Sequence, residues 1–131
     1  METKTAAQLV AESKARITNL TVEQAASQIE TEKVVLVDLR EPGELAEQGA
    51  IAGAVHAPRG MLEFYADPAS PYHRRELDPS ARTIVYCASG GRSALACDLL
   101  GQLGYADVAN LDGGLTAWKA AGRPVVTAEQ N

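Results

Sequence analysis

The residue with the strongest claim to chemistry is Cys87, and the claim rests on its neighbours: Thr83-Ile84-Val85-Tyr86 before it and Ala88-Ser89-Gly90-Gly91-Arg92-Ser93 after it. The run before it is β-branched and aromatic and reads as a buried strand. Ser89, Gly90 and Gly91 predict a tight loop. From Arg92 onward, Ala94, Leu95, Leu99, Leu100 and Leu103 recur at helical spacing. The cysteine is thus expected at the carboxyl end of a strand, in a glycine loop, directly ahead of a helix. Open α/β sheets place their ligand sites at such strand ends.

This setting favours a thiolate, which is the nucleophilic form of cysteine. A free thiol has a pKa of about 8.5, and a helix N-terminus or a nearby cation lowers it to roughly 3.5–7.5. The first amides of the helix have no partner within the helix and carry a partial positive charge. Gly90 and Gly91 permit backbone angles that turn successive N–H groups inward as an anion nest. Arg92 adds a permanent charge. The candidate site is therefore Cys87 as nucleophile, with Ala88, Ser89, Gly90, Gly91, Arg92 and Ser93 as the binding loop. Such a thiolate attacks without prior removal of a proton, so no histidine base is required. The second cysteine, Cys97, falls inside the following helix. It reads as a packing residue, since the helical rise carries it away from the loop.

Composition sets the bounds. The chain has 131 residues, 46% of them apolar, which suits one globular domain with a single core. The net charge of -5 argues against nucleic acid or an anionic membrane as partner. No apolar run is long enough to span a bilayer. Residues 1–16 mix Glu2, Lys4, Glu12, Lys14 and Arg16 with small residues and lack the apolar stretch of a signal peptide. Two cysteines, two histidines and scattered carboxylates do not form a metal-ligand cluster, so neither a metal nor another cofactor is expected. A free reactive thiol suits a reducing compartment, and the expected location is cytoplasmic.

The elements that must position the loop follow from periodicity. Ala6–Ile17 reads as a loosely docked N-terminal helix. Thr21–Ile29 reads as a helix capped by Thr21 and Gln24. Lys33–Asp38 reads as a central parallel strand. A helical turn is expected over Pro42–Glu47, then strands at Gly53–Ala57, Thr83–Tyr86 and Asp107–Leu111, and a last helix at Gly114–Ala121 stopped by Gly122 and Pro124. Alternating strands and helices make an α/β domain with a mainly parallel sheet. Residues 58–82, punctuated by Pro58, Pro68, Pro71 and Pro79, are long for a connection. They read either as a surface excursion over the sheet edge or as a rim over Cys87, with Phe64, Tyr65 and Tyr72 excluding water and His73, Arg74 and Arg75 attracting an anion. Asp38 and Arg40 leave the end of the strand at 33–38 on the side of Cys87. Arg40 can pair with Glu44 across a helical turn, and Asp38 can accept from loop amides or from Arg92. Both read equally well as structural braces. His56 reads as a structural histidine.

Taken together, these motifs resemble those of the rhodanese-type sulfurtransferases. Cys87 to Ser93 is similar to their C-x-x-G-x-R-[ST] loop, and Asp38-Leu39-Arg40 with Glu44 to their D-x-R…E segment. Residues 49–58 match their G-H-I-P-G-A-x-N-I-P in part, and Leu111-Asp112-Gly113-Gly114-Leu115-Thr116-Ala117-Trp118 resembles their G-G-x-x-A-W ending. The resemblance implies a three-layer α/β sandwich, a five-stranded, mainly parallel sheet with helices on both faces. It places that domain at 17–126, after a helical extension at 1–16 and before a tail at 127–131. It implies that Cys87 takes the outer sulfur of thiosulfate or a related donor anion, holds it as a persulfide and passes it to a thiol, either small or on a thioredoxin-like protein, or to cyanide. Asp38 and Arg40 would then support the loop from beneath, and Trp118 would pack the last helix. Ala88 stands where many thiosulfate-using members carry a basic residue. Two other functions fit the architecture: a non-catalytic persulfide-sensing domain, and a phosphatase or arsenate reductase of related fold, whose C-x5-R loops are one residue longer than the C-x4-R here.

Overall fold

The computed structural model describes residues 2–127. Of the expected extension and tail, Met1 and residues 128–131 lie outside the described residues. In chain order the elements are α1 (Ala6–Arg16), β1 (Thr18–Leu20), α2 (Val22–Thr31), β2 (Val35–Asp38), α3 (Pro42–Gln48), β3 (Val55–His56), α4 (Leu62–Ala66), β4 (Thr83–Tyr86), α5 (Gly91–Gln102), β5 (Val108–Leu111) and α6 (Gly114–Ala120). The strands form one sheet in the order β1-β5-β4-β2-β3. Every pair in it is parallel, so the expected mainly parallel sheet is wholly parallel.

Side chains alternate across the sheet and bury both faces. Leu36, Ile84, Tyr86, Ala109 and Leu111 pack with Val22, Ala25 and Ala26 of α2 and with Leu115 and Trp118 of α6. Val37 and Val85 point the other way, onto Ala96, Cys97 and Leu100 of α5 and Leu62 and Ala66 of α4. The result is a three-layer sandwich. Thr21 caps α2 through the reciprocal bonds with Gln24 that its sequence predicts. Trp118 is buried and donates its indole N–H to the Pro124 carbonyl at 2.8 Å, closing the chain over α6.

Three expectations change. β1 was absent from the periodicity reading: it is three residues long, and its first two positions are exposed. It earns its place by pairing with β5. Second, α1 is not loosely docked. It lies against α5, where the buried Ser13 donates to Asp98 at 3.0 Å and Arg16 pairs with the same carboxylate at 2.6 Å. Third, residues 58–82 run over the surface but are anchored: Leu62, Ala66 and Leu77 are buried in the layer with α5, while the rest of the segment is exposed or half-buried. Phe64 and Tyr72 are 51% and 63% exposed, so they face solvent and do not roof the cysteine. Nor is Arg74 held free for an anion: it pairs with Glu76, donates to the His56 carbonyl and lies over the Tyr65 ring.

Candidate active site

β4 and β2 are neighbours at the middle of the sheet, and the chain leaves them in opposite directions, β2 toward β3 and β4 toward β5. A crevice opens at the carboxyl ends of strands where connections diverge in this way. Cys87 follows β4 directly into it. Gly90 then adopts φ 104°, a left-handed conformation that suits glycine, and caps α5 without a side chain. This turn swings the chain back so that the Gly90 N–H meets Cys87 Sγ at 3.2 Å. Ser93, in the first turn of α5 and fully buried, places its Oγ 3.5 Å from the sulfur. Its hydroxyl can accept from the thiol or donate to the thiolate.

Two opposed effects act on the thiol. Burial pushes it up. The Ser93 hydroxyl and the amides of Ser93, Gly90 and Ser89 pull it down, and they prevail, so Cys87 sits below an ordinary cysteine. Cys87 exposes only 1% of its surface. Its sulfur is therefore a recessed group, but one walled by amide and hydroxyl donors rather than by hydrocarbon alone. Cys97 shows the contrast: it is buried in the apolar layer beneath α5, and burial pushes its thiol up to about 12.

The loop is also held from behind. The Cys87 and Ala88 carbonyls accept from the Leu115 and Thr116 amides, each at 2.9 Å. This contact depends on Gly114, whose φ of 58° is left-handed and where an added Cβ would press on both carbonyls. Sequence reasoning gave Gly113-Gly114 no part in the loop. The available signal was a second glycine pair at the end of the neighbouring strand.

The remaining candidate residues fall into two groups. Ala88, Ser89, Gly90, Gly91, Arg92 and Ser93 lie together around Cys87, with Ser89 at the surface and Gly91 to Ser93 in α5. Arg92 is partly exposed and already paired: its Nη1 and Nη2 donate to Glu44 Oε1 and Oε2 at 2.7 and 2.9 Å. That bidentate pair raises Arg92, and the adjacent Cys87 raises it further. The same bonds hold the Glu44 carboxyl down at about 2. Asp38 and Arg40 form a separate, fully buried group at the end of β2, joined to the strand before Cys87 through Tyr86. Asp38 Oδ1 accepts from the Arg40 amide and Nε, each at 3.0 Å, and Oδ2 accepts from Arg40 Nη2 at 2.7 Å and from the Tyr86 hydroxyl at 2.6 Å. Arg40 Nη2 also reaches the Gly49 carbonyl at 2.7 Å. The expected Arg40–Glu44 pair is therefore replaced by Arg40–Asp38, and Asp38 does not receive Arg92. Asp38 lies closer to Arg40 because both leave the same strand end and turn inward, while Glu44 sits a turn into α3 and faces α5. His56 is satisfied, with Nε2 2.6 Å from the Arg40 carbonyl.

A wholly parallel five-stranded sheet with a cysteine loop at its central strand end defines a class: α/β domains built around one recessed thiol. A model of the rhodanese-like domain matches residues 21–121, and the chain belongs to that family. It is 40% identical over 100 residues to a sulfurtransferase of Allochromatium vinosum, a match covering 76% of this chain and 85% of that one. It is 34% identical over 109 residues to the thiosulfate sulfurtransferase GlpE of Pseudomonas putida, covering 83% and 90%. A solved structure from Rhodopseudomonas palustris, of a protein of unknown function described as a possible tyrosine phosphatase, aligns with TM-score 0.90 and 36% identity over 96% of this chain and 97% of that one. Among the described residues, no helix is long and apolar enough to cross a membrane.

Proposed function

We propose that this protein is a sulfurtransferase that carries a sulfane sulfur on Cys87. The observation that carries the reading is the set of donors at the sulfur, with the Gly90 amide at 3.2 Å and Ser93 Oγ at 3.5 Å; the sulfurtransferases among its relatives support it. The Cys87 thiolate attacks the outer sulfur of a donor such as thiosulfate. The donor S–S bond breaks, and its electron pair leaves with sulfite. The negative charge now rests on the outer persulfide sulfur, where the same amides can hold it. An acceptor thiolate, from a small thiol or a thioredoxin-like protein, then takes that sulfur and returns Cys87 to the thiolate. Charge is neither created nor lost in either step, so the loop stabilises an anion throughout and needs no proton carrier.

Intact mass after incubation with thiosulfate tests this directly. One sulfur atom should be gained by the wild type, lost on adding cyanide, and absent from Cys87→Ala. Gain of sulfur by Cys87→Ala would overturn the assignment.

A phosphatase is the second reading, favoured by the likeness to the Rhodopseudomonas palustris protein. Four residues separate Cys87 from Arg92, and α5 begins at Gly91, which leaves a tight loop for a tetrahedral phosphate. Arg92 is moreover bound to Glu44 through both Nη atoms. Cys87-dependent hydrolysis of p-nitrophenyl phosphate would reverse this choice.

A further inference from the structure

We propose that Glu44 sets the charge class of the sulfur donor: by occupying both Nη atoms of Arg92, it makes the site select singly charged sulfane donors over doubly charged ones. The inference rests on the sulfurtransferase reading and adds what that reading leaves open, the kind of anion accepted.

Arg92 is the cation whose charge acts on Cys87, so it is the natural partner for the second charge of a dianion. Its charge is already balanced by two parallel bonds to the Glu44 carboxylate, at 2.7 and 2.9 Å, the strong geometry for this pair. The carboxylate is aimed there by a further bond: Glu44 Oε1 accepts from the Glu41 amide at 2.9 Å in the capping box that starts α3. Glu44 thus lends the entrance one negative charge for the one positive charge of Arg92. Three further cations near these elements are paired with carboxylates, Arg40 with Asp38, Lys14 with Asp112 and Arg59 with Glu63, while Lys119 of α6 reaches the neutral Gln48. Ala88 and Ser89 contribute none, and the chain as a whole carries -5. The donor then meets the ring of amides around the sulfur and a guanidinium whose charge Glu44 has already balanced, a setting that suits one negative charge. A dianion must leave its second charge beside a neutral pair on an acidic protein, against the long-range field.

Thiosulfate and methanethiosulfonate isolate this variable. With either, the Cys87 thiolate attacks the terminal sulfur and the S–S bond breaks. Sulfite leaves from the first and methanesulfinate from the second, so the donors differ by one charge and not in the bond broken. The experiment measures kcat/KM for both, with cyanide as acceptor, in wild type, Glu44→Gln and Glu44→Asp. Gln keeps an acceptor for the Glu41 amide and removes the charge; Asp keeps the charge. Expected is a preference for methanethiosulfonate in wild type that persists in Glu44→Asp and falls about tenfold in Glu44→Gln, chiefly through a lower KM for thiosulfate, as one unit charge at short range predicts. An unchanged ratio in Glu44→Gln overturns the inference and leaves the sulfurtransferase intact. A second measurement needs no variant. Added salt should raise wild-type kcat/KM for thiosulfate relative to methanethiosulfonate by screening repulsion, and the opposite trend overturns the inference. If neither donor leaves a sulfur on Cys87 by intact mass, the sulfurtransferase reading itself fails, and this inference with it.

Discussion

The Tyr86 hydroxyl donates to Asp38 Oδ2 at 2.6 Å, so the residue immediately before the recessed cysteine is tied to the end of the adjacent strand. The same hydroxyl accepts from the Ile51 amide at 3.1 Å. Burial, then the negative charge of Asp38, raises the Tyr86 phenol, so it stays protonated and keeps donating. Tyr86→Phe leaves the Ile51 amide and one carboxylate site unmet in the interior and should cost about 1–3 kcal/mol. Asp38→Ala should cost more, about 3–5 kcal/mol, because it strands the buried Arg40 guanidinium without its counter-ion. Urea unfolding of both variants checks the order. Equal and negligible losses would mean that the network does not brace the strand ends.

This network also marks how far the sequence could be read. The β4 strand, the Cys87 loop and the start of α5 were legible because each rule is local: β-branched residues, then glycines, then helical spacing. Asp38 and Arg40 were legible as a strand end but not as partners of each other, since the choice between Asp38 and Glu44 depends on Glu44 being taken by the distant Arg92. Glu44 was legible only as a candidate partner of Arg40, because its actual partner, Arg92, is 48 positions away. β1 was hidden by its length, and Gly114 by the absence of any local sign that Cys87 and Ala88 turn their carbonyls toward it. Local chemistry was readable, then, and pairing across the chain was not.

The two cysteines should separate cleanly in an alkylation experiment. Cys87 lies below an ordinary thiol because donors from Ser93, Gly90 and Ser89 outweigh the burial that pushes it up. Cys97 is pushed up to about 12 by burial. As pH rises, iodoacetamide should modify Cys87 first, with a midpoint below the usual thiol range, while Cys97 stays unmodified in the folded protein. Because Cys87 exposes only 1% of its surface, a bulky aromatic disulfide should react more slowly than iodoacetamide. Peptide mapping with mass spectrometry gives both answers, and early labelling of Cys97 would contradict the environments described.

Gly114→Ala should damage the site more than its distance in sequence suggests. Its φ of 58° is a conformation L side chains rarely adopt, and the added Cβ would come within 2.7 Å of the Ala88 carbonyl and closer still to that of Cys87. Backbone cannot yield as a flexible side chain can, so the Cys87 loop must shift. Misplacement on the order of 1 Å can cost about a hundredfold in rate, against a stability loss of roughly 1–3 kcal/mol for the strained angle. Gly101→Ala, where nothing lies within 4 Å of the new Cβ and the site is inside helix α5, is the control. Sulfur transfer and urea midpoints should show Gly114→Ala losing more activity than its stability loss explains, and Gly101→Ala losing neither.

Acid should act through Glu44. The Arg92 fork, with help from the Glu41 amide, holds its carboxyl at about 2 in the folded chain against an ordinary 4.5. A carboxyl depressed by folding stabilises the native state fully above its unfolded value and loses that contribution as pH falls toward the folded value. The window is therefore about 4.5 down to about 2. Arg92 stays charged throughout, since Glu44 raises it from a value already far above neutrality. Glu44 and Arg92 are each about a third exposed, so solvent screening keeps the contribution modest. Wild type should be more stable than Glu44→Gln at neutral pH, and the gap should close through this window as the carboxylate takes up its proton. Thermal unfolding of the two proteins over a pH series measures the gap. A gap that stays constant to the acid end would mean that the difference between the two proteins does not come from the charge on Glu44.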